Sequence, residues 1–361
     1  MAVLGTRPEA IKMCPVIIEL KKRKNVDLYV CITGQHREML RSVLDIFGVR
    51  ADCDLDIMKE GQSLADITKA VLDGISEVLE REKSDVVLVH GDTTTAFAAS
   101  LACFYKKIPV GHVEAGLRTY DVYSPYPEEF NRRAIDITAS YLFAPTRLSA
   151  ENLLREGADE NSIFVTGNTA IDALRLTVRE EYSSPITEAA AGKRIILLTA
   201  HRRESHGEAL RGIFRAVRRI ADEFDDVMIV YPVHPNPVVR AAAEETLSGH
   251  ERIMLTEPLD VIAFHNLMAK SFFIMTDSGG IQEEAPSLGK PVLVLRDVTE
   301  RPEGVEAGTL RIVGTDEEKV YLACKNLLCN DAEYAEMSSA ENPYGDGKAS
   351  RRIADALLSE A

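Results

Sequence analysis

Short apolar runs alternate with amphipathic stretches along the whole chain, and this pattern predicts buried parallel strands joined by helices. In the first half, the predicted strands are Ala2–Leu4, Leu28–Thr33, Val86–His90, Val110–Val113 and Tyr141–Ala144. In the second half, they are Arg194–Thr199, Val227–Tyr231, Ile253–Leu255, Phe272–Met275 and Val292–Leu295. Repeated strand–helix–strand units of this kind favour an α/β fold with helices on both faces of each sheet.

The length of the chain, 361 residues, exceeds what one ordinary hydrophobic core holds, so we expect two doubly wound domains with a cleft between them. We place the first domain at residues 1–168 and the second at 169–345. The polar segment Tyr182–Pro185 is typical of a surface connection. In residues 346–361, apolar positions recur at helical spacing, which predicts a last helix that packs back on the first domain.

The composition of the chain limits the kinds of molecule that we expect this protein to bind. A net charge of −15 without a basic stripe argues against binding to nucleic acid. No apolar run reaches the roughly 20 residues of a membrane helix, and no signal-peptide pattern is present, so we expect a cytoplasmic protein away from membranes. Six scattered cysteines predict reduced thiols. Since neither a Walker A motif, nor a dinucleotide fingerprint, nor metal-ligand spacing occurs, we expect no cofactor and no metal.

The segment Thr276–Glu284 carries the clearest chemical signal, because it joins a predicted strand to a helix. Gly279 and Gly280 allow backbone N–H groups to approach a ligand, and the beginning helix adds its positive end. Glu283 and Glu284 follow one turn later, where a carboxylate can accept hydrogen bonds from sugar hydroxyls. An ordinary strand–helix turn also needs small residues. The combination of glycine and acid at a strand's carboxyl end nevertheless favours nucleotide binding.

Charged residues also follow two strands of the first half. Arg7 and Lys12 lie after the first strand and can project toward an anion, although either could be a solvated surface charge. Asp92 lies where a helix N-cap is expected after Val86–His90. Because Thr93 could cap that helix alone, the carboxylate of Asp92 is surplus to capping.

Three further acids and a histidine call for an explanation. His112 and Glu114 belong to an apolar strand, where they are costly to bury without partners or a cleft. Glu128 and Glu129 open a helix behind Pro127, and the helix dipole accounts for one of them.

Basic residues collect after the first strand of the second half. His201, Arg202 and Arg203 suit a phosphate, with a salt-bridge cluster as the alternative. His234 lies between prolines, which indicates a structural role.

Taken together, these stretches resemble the non-hydrolysing UDP-N-acetylglucosamine 2-epimerases over the whole chain. The resembling segments are Gly5–Lys12, Gly34–Leu40, His90–Thr94, His112–Arg118, Pro127–Glu129, His201–Ser205, Thr276–Pro291, Thr299–Glu303 and Asn342–Gly347. The resemblance implies a GT-B fold, in which two Rossmann-like domains flank a cleft and the last helix returns to the first domain. It also implies a homodimer that interconverts UDP-GlcNAc and UDP-ManNAc, with UDP bound and without metal or NAD.

The same resemblance implies roles for individual residues. Those expected in catalysis are Asp92, Glu114, Glu128 and His201. Those expected to bind substrate are Arg7, Lys12, Phe264, Ser278, Gly279, Gly280, Glu284 and Arg301. Of the second set, Lys12 would contact substrate around the phosphates and sugar, Glu284 the ribose, and Phe264 the uracil.

The mechanism implied by the family eliminates UDP to give a 2-acetamidoglucal and then adds UDP back. Which carboxylate is the base and which the acid stays open, but burial should raise the pKa of at least one of them. Three alternatives remain at this point: a GT-B glycosyltransferase that uses a UDP-sugar donor, a hydrolysing epimerase that releases free sugar, and a non-catalytic UDP-sugar sensor.

Overall fold

The computed structural model describes residues 1–34, 37–57, 59, 61–202 and 205–359, without the side chains of residues 37–39. Four residues of the resembling segments, Gln35, His36, Arg203 and Glu204, therefore lie outside the described residues. The described chain forms two compact units, Met1–Leu176 with Tyr344–Ala361, and Thr177–Pro343.

The first unit contains a seven-stranded parallel sheet in the order β3-β2-β1-β4-β5-β6-β7. Its strands are β1 (Ala2–Leu4), β2 (Val30–Ile32), β3 (Cys53–Asp54), β4 (Val87–His90), β5 (Val110–Val113), β6 (Tyr141–Ala144) and β7 (Ile163–Val165). The second unit contains a six-stranded parallel sheet in the order β10-β9-β8-β11-β12-β13. Its strands are β8 (Arg194–Thr199), β9 (Val227–Pro232), β10 (Ile253–Thr256), β11 (Phe273–Thr276), β12 (Val292–Val294) and β13 (Leu310–Ile312).

Helices join the strands in both units. The helices up to the first crossing between units are α1 (Arg7–Lys21), α2 (Arg37–Ile46), α3 (Leu64–Glu82), α4 (Thr94–Lys106), α5 (Glu128–Thr138), α6 (Arg147–Arg155) and α7 (Thr169–Thr177). The remaining helices are α8 (Pro185–Ala189), α9 (Glu208–Glu223), α10 (Pro237–Leu247), α11 (Val261–Lys270), α12 (Gly279–Glu284), α13 (Pro302–Glu306), α14 (Glu317–Cys329), α15 (Asp331–Ser339) and α16 (Ala349–Ser359). Within the described residues, no helix has the length and apolar character needed to cross a membrane.

Both sheets have the strand order of a doubly wound fold, in which strands are added first on one side of the first strand and then on its other side. That change of side lies between β1 and β4 in the first unit and between β8 and β11 in the second. Loops after these neighbouring strands diverge, so the carboxyl ends of the strands there are open to a ligand. The prediction of two Rossmann-like α/β domains is confirmed.

The last helix packs within the first unit. Ile353 and Leu357 of α16 join the apolar cluster that contains Ala10 and Ile17 of α1. Asp172 of α7 also accepts hydrogen bonds from the N–H groups of Ala349 and Ser350, at 3.1 and 2.9 Å. These contacts place α7 with the first unit, so the chain leaves that unit after Leu176, later than the boundary expected at residue 168.

Three strands escape the hydrophobic pattern, namely β3, β7 and β13. Each is two or three residues long and lies at the edge of its sheet. β3 and β13 each contain a polar residue, because an edge strand has one neighbour and is partly exposed, whereas β7 is apolar but only three residues long. Central strands show the opposite pattern, since Leu88 of β4 faces one apolar cluster while Val87 and Val89 face the other. Burial on both faces is what makes such strands continuous apolar runs.

Candidate active site

Asp92 follows β4 and is available for chemistry because its neighbour caps the helix. Thr93 is the N-cap of α4, and its hydroxyl accepts a hydrogen bond from the N–H of Ala96 at 3.0 Å. The carboxylate of Asp92 instead accepts from Arg132 of α5, whose Nε lies 3.1 Å from Oδ2. The expectation that Asp92 is not needed as a cap is confirmed. Arg132 is a supporting residue that sequence reasoning missed, since helical charges of this kind usually face solvent.

Glu114 follows β5 with a backbone φ of +71°. A residue other than glycine in this left-handed region costs about 1–3 kcal/mol and needs support from its surroundings. One support is Gly116, where an added Cβ would lie 2.2 Å from the carbonyl oxygen of Ser149. The turn after β5 is therefore packed against α6 too closely for any other residue at position 116.

A buried polar network provides the second support, and it explains His112. The imidazole Nε2 of His112 donates to the carbonyl oxygen of Gly91 at 2.7 Å, and its Nδ1 lies 2.6 Å from Asp136 Oδ1. Arg118 Nη2 lies 2.8 Å from the other oxygen of Asp136. His112 is thus fully partnered and ties the end of β4 to the end of β5. It positions the loops that carry Asp92 and Glu114.

The carboxylate of Glu114 has two basic neighbours. Lys12 Nζ of α1 forms a short ion pair with Oε2, and His90 Nε2 lies 3.6 Å from the same oxygen. Asn168 Nδ2 donates to it at 3.4 Å. Burial by itself raises the pKa of Glu114, but Lys12 and His90 outweigh burial and hold that pKa well below its usual value. This direction is opposite to the raised pKa expected for at least one catalytic carboxylate, and Glu114 is therefore ionised at neutral pH.

The two glutamates that open α5 have different surroundings. Glu129 is fully buried and accepts the backbone N–H groups of Thr119 and Tyr120 at 3.0 and 3.1 Å. Glu128 is half-buried, and its carboxylate has no hydrogen bond or ion pair to the described part of the chain. Glu129 therefore stabilises the loop before α5, and Glu128 is the one of the two acids without a structural partner in the described residues.

Glu9 is a second supporting acid, and it organises the turn that precedes Arg7. Its buried carboxylate accepts hydrogen bonds from the N–H groups of Gly5 and Thr6, at 3.0 and 2.6 Å, and from the Thr93 hydroxyl at 2.7 Å. Burial raises the pKa of Glu9 despite these hydrogen bonds. The spacing Thr6-x-x-Glu9 is a capping box, which is the sequence signal that identifies it. Arg7 itself is half-buried at the first position of α1.

In the second unit, strand register places His201 beside a buried acid. Thr199 of β8 pairs with Thr276 of β11, so the residues just beyond the two strands meet. Asp277 accepts the backbone N–H of Arg202 at 2.7 Å, and its Oδ1 lies 3.2 Å from His201 Nδ1. Burial raises the pKa of Asp277, but its contacts with His201 and Arg202 outweigh it and lower that pKa. His201 also stacks on His234, with ring centroids 4.8 Å apart.

The start of α12 gathers most of the expected binding residues. Ser278 is the N-cap, but its hydroxyl forms no capping hydrogen bond, so that hydroxyl can face a ligand. A Cβ added at Gly279 would lie 3.5 Å from Arg301 Nη2, and one added at Gly280 would lie 3.7 Å from Glu284 Oε1. Arg301 and Glu284 therefore flank the two glycines.

One expectation for this segment is wrong. Glu283 is almost fully buried and forms a short ion pair with Arg301 Nε, so it cannot accept hydrogen bonds from a sugar. Glu284 remains partly accessible, with His265 Nε2 3.7 Å from its Oε2. Phe264 precedes His265 on α11 and is half-buried.

The structure thus places the expected residues after strands and at helix starts in both units. In the first unit, Arg7 and Lys12 lie on α1 after β1, Asp92 and Glu114 follow β4 and β5, and α5 begins with Glu128. In the second unit, the ends of β8 and β11 carry His201 and the Ser278–Gly280 turn. Over the described residues, no group of three or more histidine, cysteine or acidic side chains has the arrangement of a metal site.

Comparison with known proteins identifies the family. Residues 18–358 match the family model described as UDP-N-acetylglucosamine 2-epimerase. The chain is 60% identical to the UDP-N-acetylglucosamine 2-epimerase of Bacillus subtilis over 99% of this chain and 94% of that protein. Among solved structures, the UDP-GlcNAc 2-epimerase of Neisseria meningitidis bound to UDP-GlcNAc has a TM-score of 0.91 at 49% identity and covers 99% of both chains.

A more distant relative has the same fold over its full length. The UDP-GlcNAc 2-epimerase of Methanocaldococcus jannaschii, in complex with UDP-GlcNAc and UDP, has a TM-score of 0.82 at 36% identity, and the match covers 100% of this chain and 99% of the other. The matched range, the identity and the shared fold agree, and the chain belongs to the UDP-N-acetylglucosamine 2-epimerase family.

Proposed function

We propose that this protein catalyses the reversible C2 epimerisation of UDP-GlcNAc to UDP-ManNAc. Membership of the family supports this substrate, as do the UDP-GlcNAc and UDP bound by relatives of known structure. The observation that carries the proposal is the set of accessible carboxylates at the strand ends of the first unit, one of which is kept ionised by Lys12 and His90. A protein that only binds a UDP-sugar has no need of an ionised carboxylate with two basic neighbours.

The proposed reaction proceeds by elimination and re-addition of UDP. The proton on C2 of the sugar is not acidic, because no carbonyl carbon is next to it. Departure of UDP gives C1 oxocarbenium character, and the C2 proton can then be removed to leave a 2-acetamidoglucal. UDP adds back while a proton is delivered to the opposite face of C2. Acid and base groups are therefore needed on both faces of the ring.

The proposal assigns this acid–base chemistry to Asp92, Glu114 and Glu128, together with His201. Glu114 is suited to accept the C2 proton because its carboxylate is ionised in the resting protein. Arg132 holds Asp92 in one orientation, which general acid–base catalysis requires. Glu128 has a carboxylate without partners in the described structure, and it can serve as the second proton-transferring group.

Retention of UDP is the second requirement, since the leaving group must return to the same sugar. The proposal gives this role to the backbone N–H groups and hydroxyl of Ser278–Gly280 and to Arg301, beside the diphosphate. Arg7 and Lys12 contribute positive charge near the phosphates and the sugar. Glu284 binds the ribose, and Phe264 lies against the uracil. A homodimer without metal or NAD completes the proposal.

Incubation with UDP-GlcNAc alone in D₂O, followed by ¹H NMR, tests the proposed reaction. We expect UDP-ManNAc to form with deuterium at C2, and the recovered UDP-GlcNAc to acquire deuterium as well. Product that retains its original hydrogen at C2 would overturn the elimination. Release of free sugar and UDP would indicate the hydrolysing reaction, and no conversion without an added acceptor would indicate a glycosyltransferase.

A further inference from the structure

His90 is a buried titratable residue to which the resemblance gives no role, and the proposed reaction uses it only as a basic neighbour of Glu114. It is the last residue of β4 and is only 4% exposed. Its Nε2 has no hydrogen-bonding partner in the described structure, although Glu114 Oε2 lies 3.6 Å away. A buried nitrogen without a hydrogen-bonding partner destabilises the fold. The 3.6 Å separation is slightly too long for a hydrogen bond, and a small movement of either side chain would close it.

The charged groups around His90 come from two elements. Helix α1 supplies Lys12, which forms the ion pair with Glu114, and Glu9, whose buried carboxylate interacts electrostatically with His90. The turn after β5 supplies Glu114 itself. His90 therefore has two carboxylates in its surroundings, and Lys12 is paired with that of Glu114, the one that the proposed function uses.

In the proposed reaction, Lys12 interacts with two anionic groups, the Glu114 carboxylate and the substrate. In the structure it neutralises Glu114, and in the proposed complex it also contacts the anionic substrate. A lysine drawn toward phosphate oxygens moves away from the carboxylate, and Glu114 then loses its closest cation. The Asn168 amide still donates to Glu114 Oε2, but it is neutral, and the remaining basic group beside that oxygen is His90 Nε2.

We propose that His90 is the positioning residue for Glu114 during turnover, donating an Nε2–H hydrogen bond to Oε2 when Lys12 engages the substrate. This inference rests on the proposed function and deepens it. The hydrogen bond fixes the orientation of the carboxylate and favours its negative charge, so Glu114 stays ready to receive a proton while UDP departs.

Rates measured as a function of pH for His90→Phe and His90→Gln test this role. A hydrogen bond to a charged group contributes about 1.5–3 kcal/mol, so His90→Phe should lower kcat by roughly 10- to 100-fold while KM for UDP-GlcNAc stays within about threefold. Without the His90 donor, burial raises the pKa of Glu114. The acidic limb of the pH–rate profile, which reports this pKa, should therefore shift to higher pH by about one unit. His90→Gln, which keeps an N–H donor, should recover kcat to within about threefold of the wild type.

His250→Gln is the matched control, because His250 pairs with Asp222 at the surface of the second unit. Its pH profile should match that of the wild type. An unmoved limb in His90→Phe, or equal losses of kcat in His90→Phe and His90→Gln, would overturn the role of His90. Wild-type protein that fails to exchange the C2 hydrogen would instead overturn the proposed function, so the two failures are distinguishable.

If His90→Phe does not fold, an NMR measurement on the wild-type protein tests the role of His90. In protein labelled with ¹⁵N-histidine, the His90 Nε2 resonance can be assigned by its absence from His90→Gln. Saturating UDP should shift this resonance as Lys12 turns to the phosphates and the hydrogen bond to Glu114 forms. A resonance that UDP leaves unmoved would contradict the proposal.

Discussion

The two units use charge in opposite senses at the ends of their strands. In the first unit, the candidate catalytic groups are acids, and basic side chains hold them: Arg132 binds Asp92, and Lys12 binds Glu114. In the second unit, the candidate groups His201 and Arg301 are basic, and buried acids hold them, as described for Asp277 and Glu283. The first arrangement suits proton transfer, and the second suits an anionic ligand.

Exposure shows which member of each pair can act. The Arg301 side chain is 15% exposed against 2% for Glu283, and the side chain of His201 is 37% exposed against 1% for Asp277. In the first unit the accessible member is the acid, since Asp92 is 26% exposed against 11% for Arg132. A buried charge that is paired acts as support, because its partner already satisfies it. Only Lys12 and Glu114, at 14% and 11%, are nearly equal, as expected if both contact substrate.

The largest effect should come from Glu114→Gln, which removes the charge from the first unit's principal acid. We expect the epimerisation rate to fall at least about a thousandfold, or roughly 4 kcal/mol, because the amide cannot accept the C2 proton. Affinity for UDP, measured by calorimetry, should stay within about tenfold. Glu77→Gln, at an exposed position of α3, is the control and should retain activity. An equal loss of UDP binding and of rate would show that Glu114 binds rather than reacts.

Arg301→Met, combined with a substitution of Glu283, separates the contribution of Arg301 to stability from its proposed contribution to UDP binding. The variant leaves Glu283 buried without its ion pair, so the free energy of unfolding should fall by about 3–5 kcal/mol. The double variant Arg301→Met with Glu283→Met should regain most of that stability, because the unpaired buried charge is gone. Urea unfolding measures both values. UDP affinity should stay at least about tenfold weaker in the double variant, and recovery of affinity would show that Arg301 acts only on Glu283.

Asp277→Asn tests the buried acid behind His201 through its pH dependence. The pKa of Asp277 is lowered in the folded protein, so its carboxylate stabilises the fold above the unfolded pKa of 3.8, and this stabilisation is lost as pH falls through the folded value. The variant should therefore cost about 1–3 kcal/mol at pH 7 and clearly less near pH 3. Thermal unfolding at both pH values measures the difference. Asp222→Asn, at an exposed position of the same unit, should show little cost at either pH.

The smallest expected effects on stability come from substitutions at the N-caps of α4 and α12. Thr93→Ala removes an N-cap that accepts the N–H of Ala96 and a hydroxyl that donates to buried Glu9, so it should lower the free energy of unfolding by about 1–3 kcal/mol. Ser278→Ala removes a hydroxyl that makes no capping hydrogen bond, so stability should change by less than about 0.5 kcal/mol. UDP affinity should instead fall severalfold in Ser278→Ala, since about 1 kcal/mol of hydrogen bonding is lost. A large loss of stability in Ser278→Ala would mean that Ser278 has the same structural role as Thr93.

The central strands and the sequence motifs could be predicted from the sequence. Several edge strands, and the buried residues that hold the site residues in place, could not. The runs at β4 and β8 are apolar because both faces of those strands are buried, and the glycines before α12 mark a close turn. The edge strands β3 and β13 lack that signature, because exposure removes the need for apolar residues. Glu283 was also predicted from the sequence to bind a ligand, because the sequence does not distinguish a glutamate in a buried ion pair from one with an accessible carboxylate.

The sequence by itself determined the alternation of strands and helices, the family, and the set of residues worth testing. Hydrophobic periodicity and local turn chemistry act over a few residues, so they can be read along the chain. The tertiary structure alone decided which acids are paired: Glu114 meets Lys12 and His90, and Asp92 meets Arg132, although these partners are distant in the sequence. Electrostatic interactions depend on distance and burial in space, and neither is written in the order of residues.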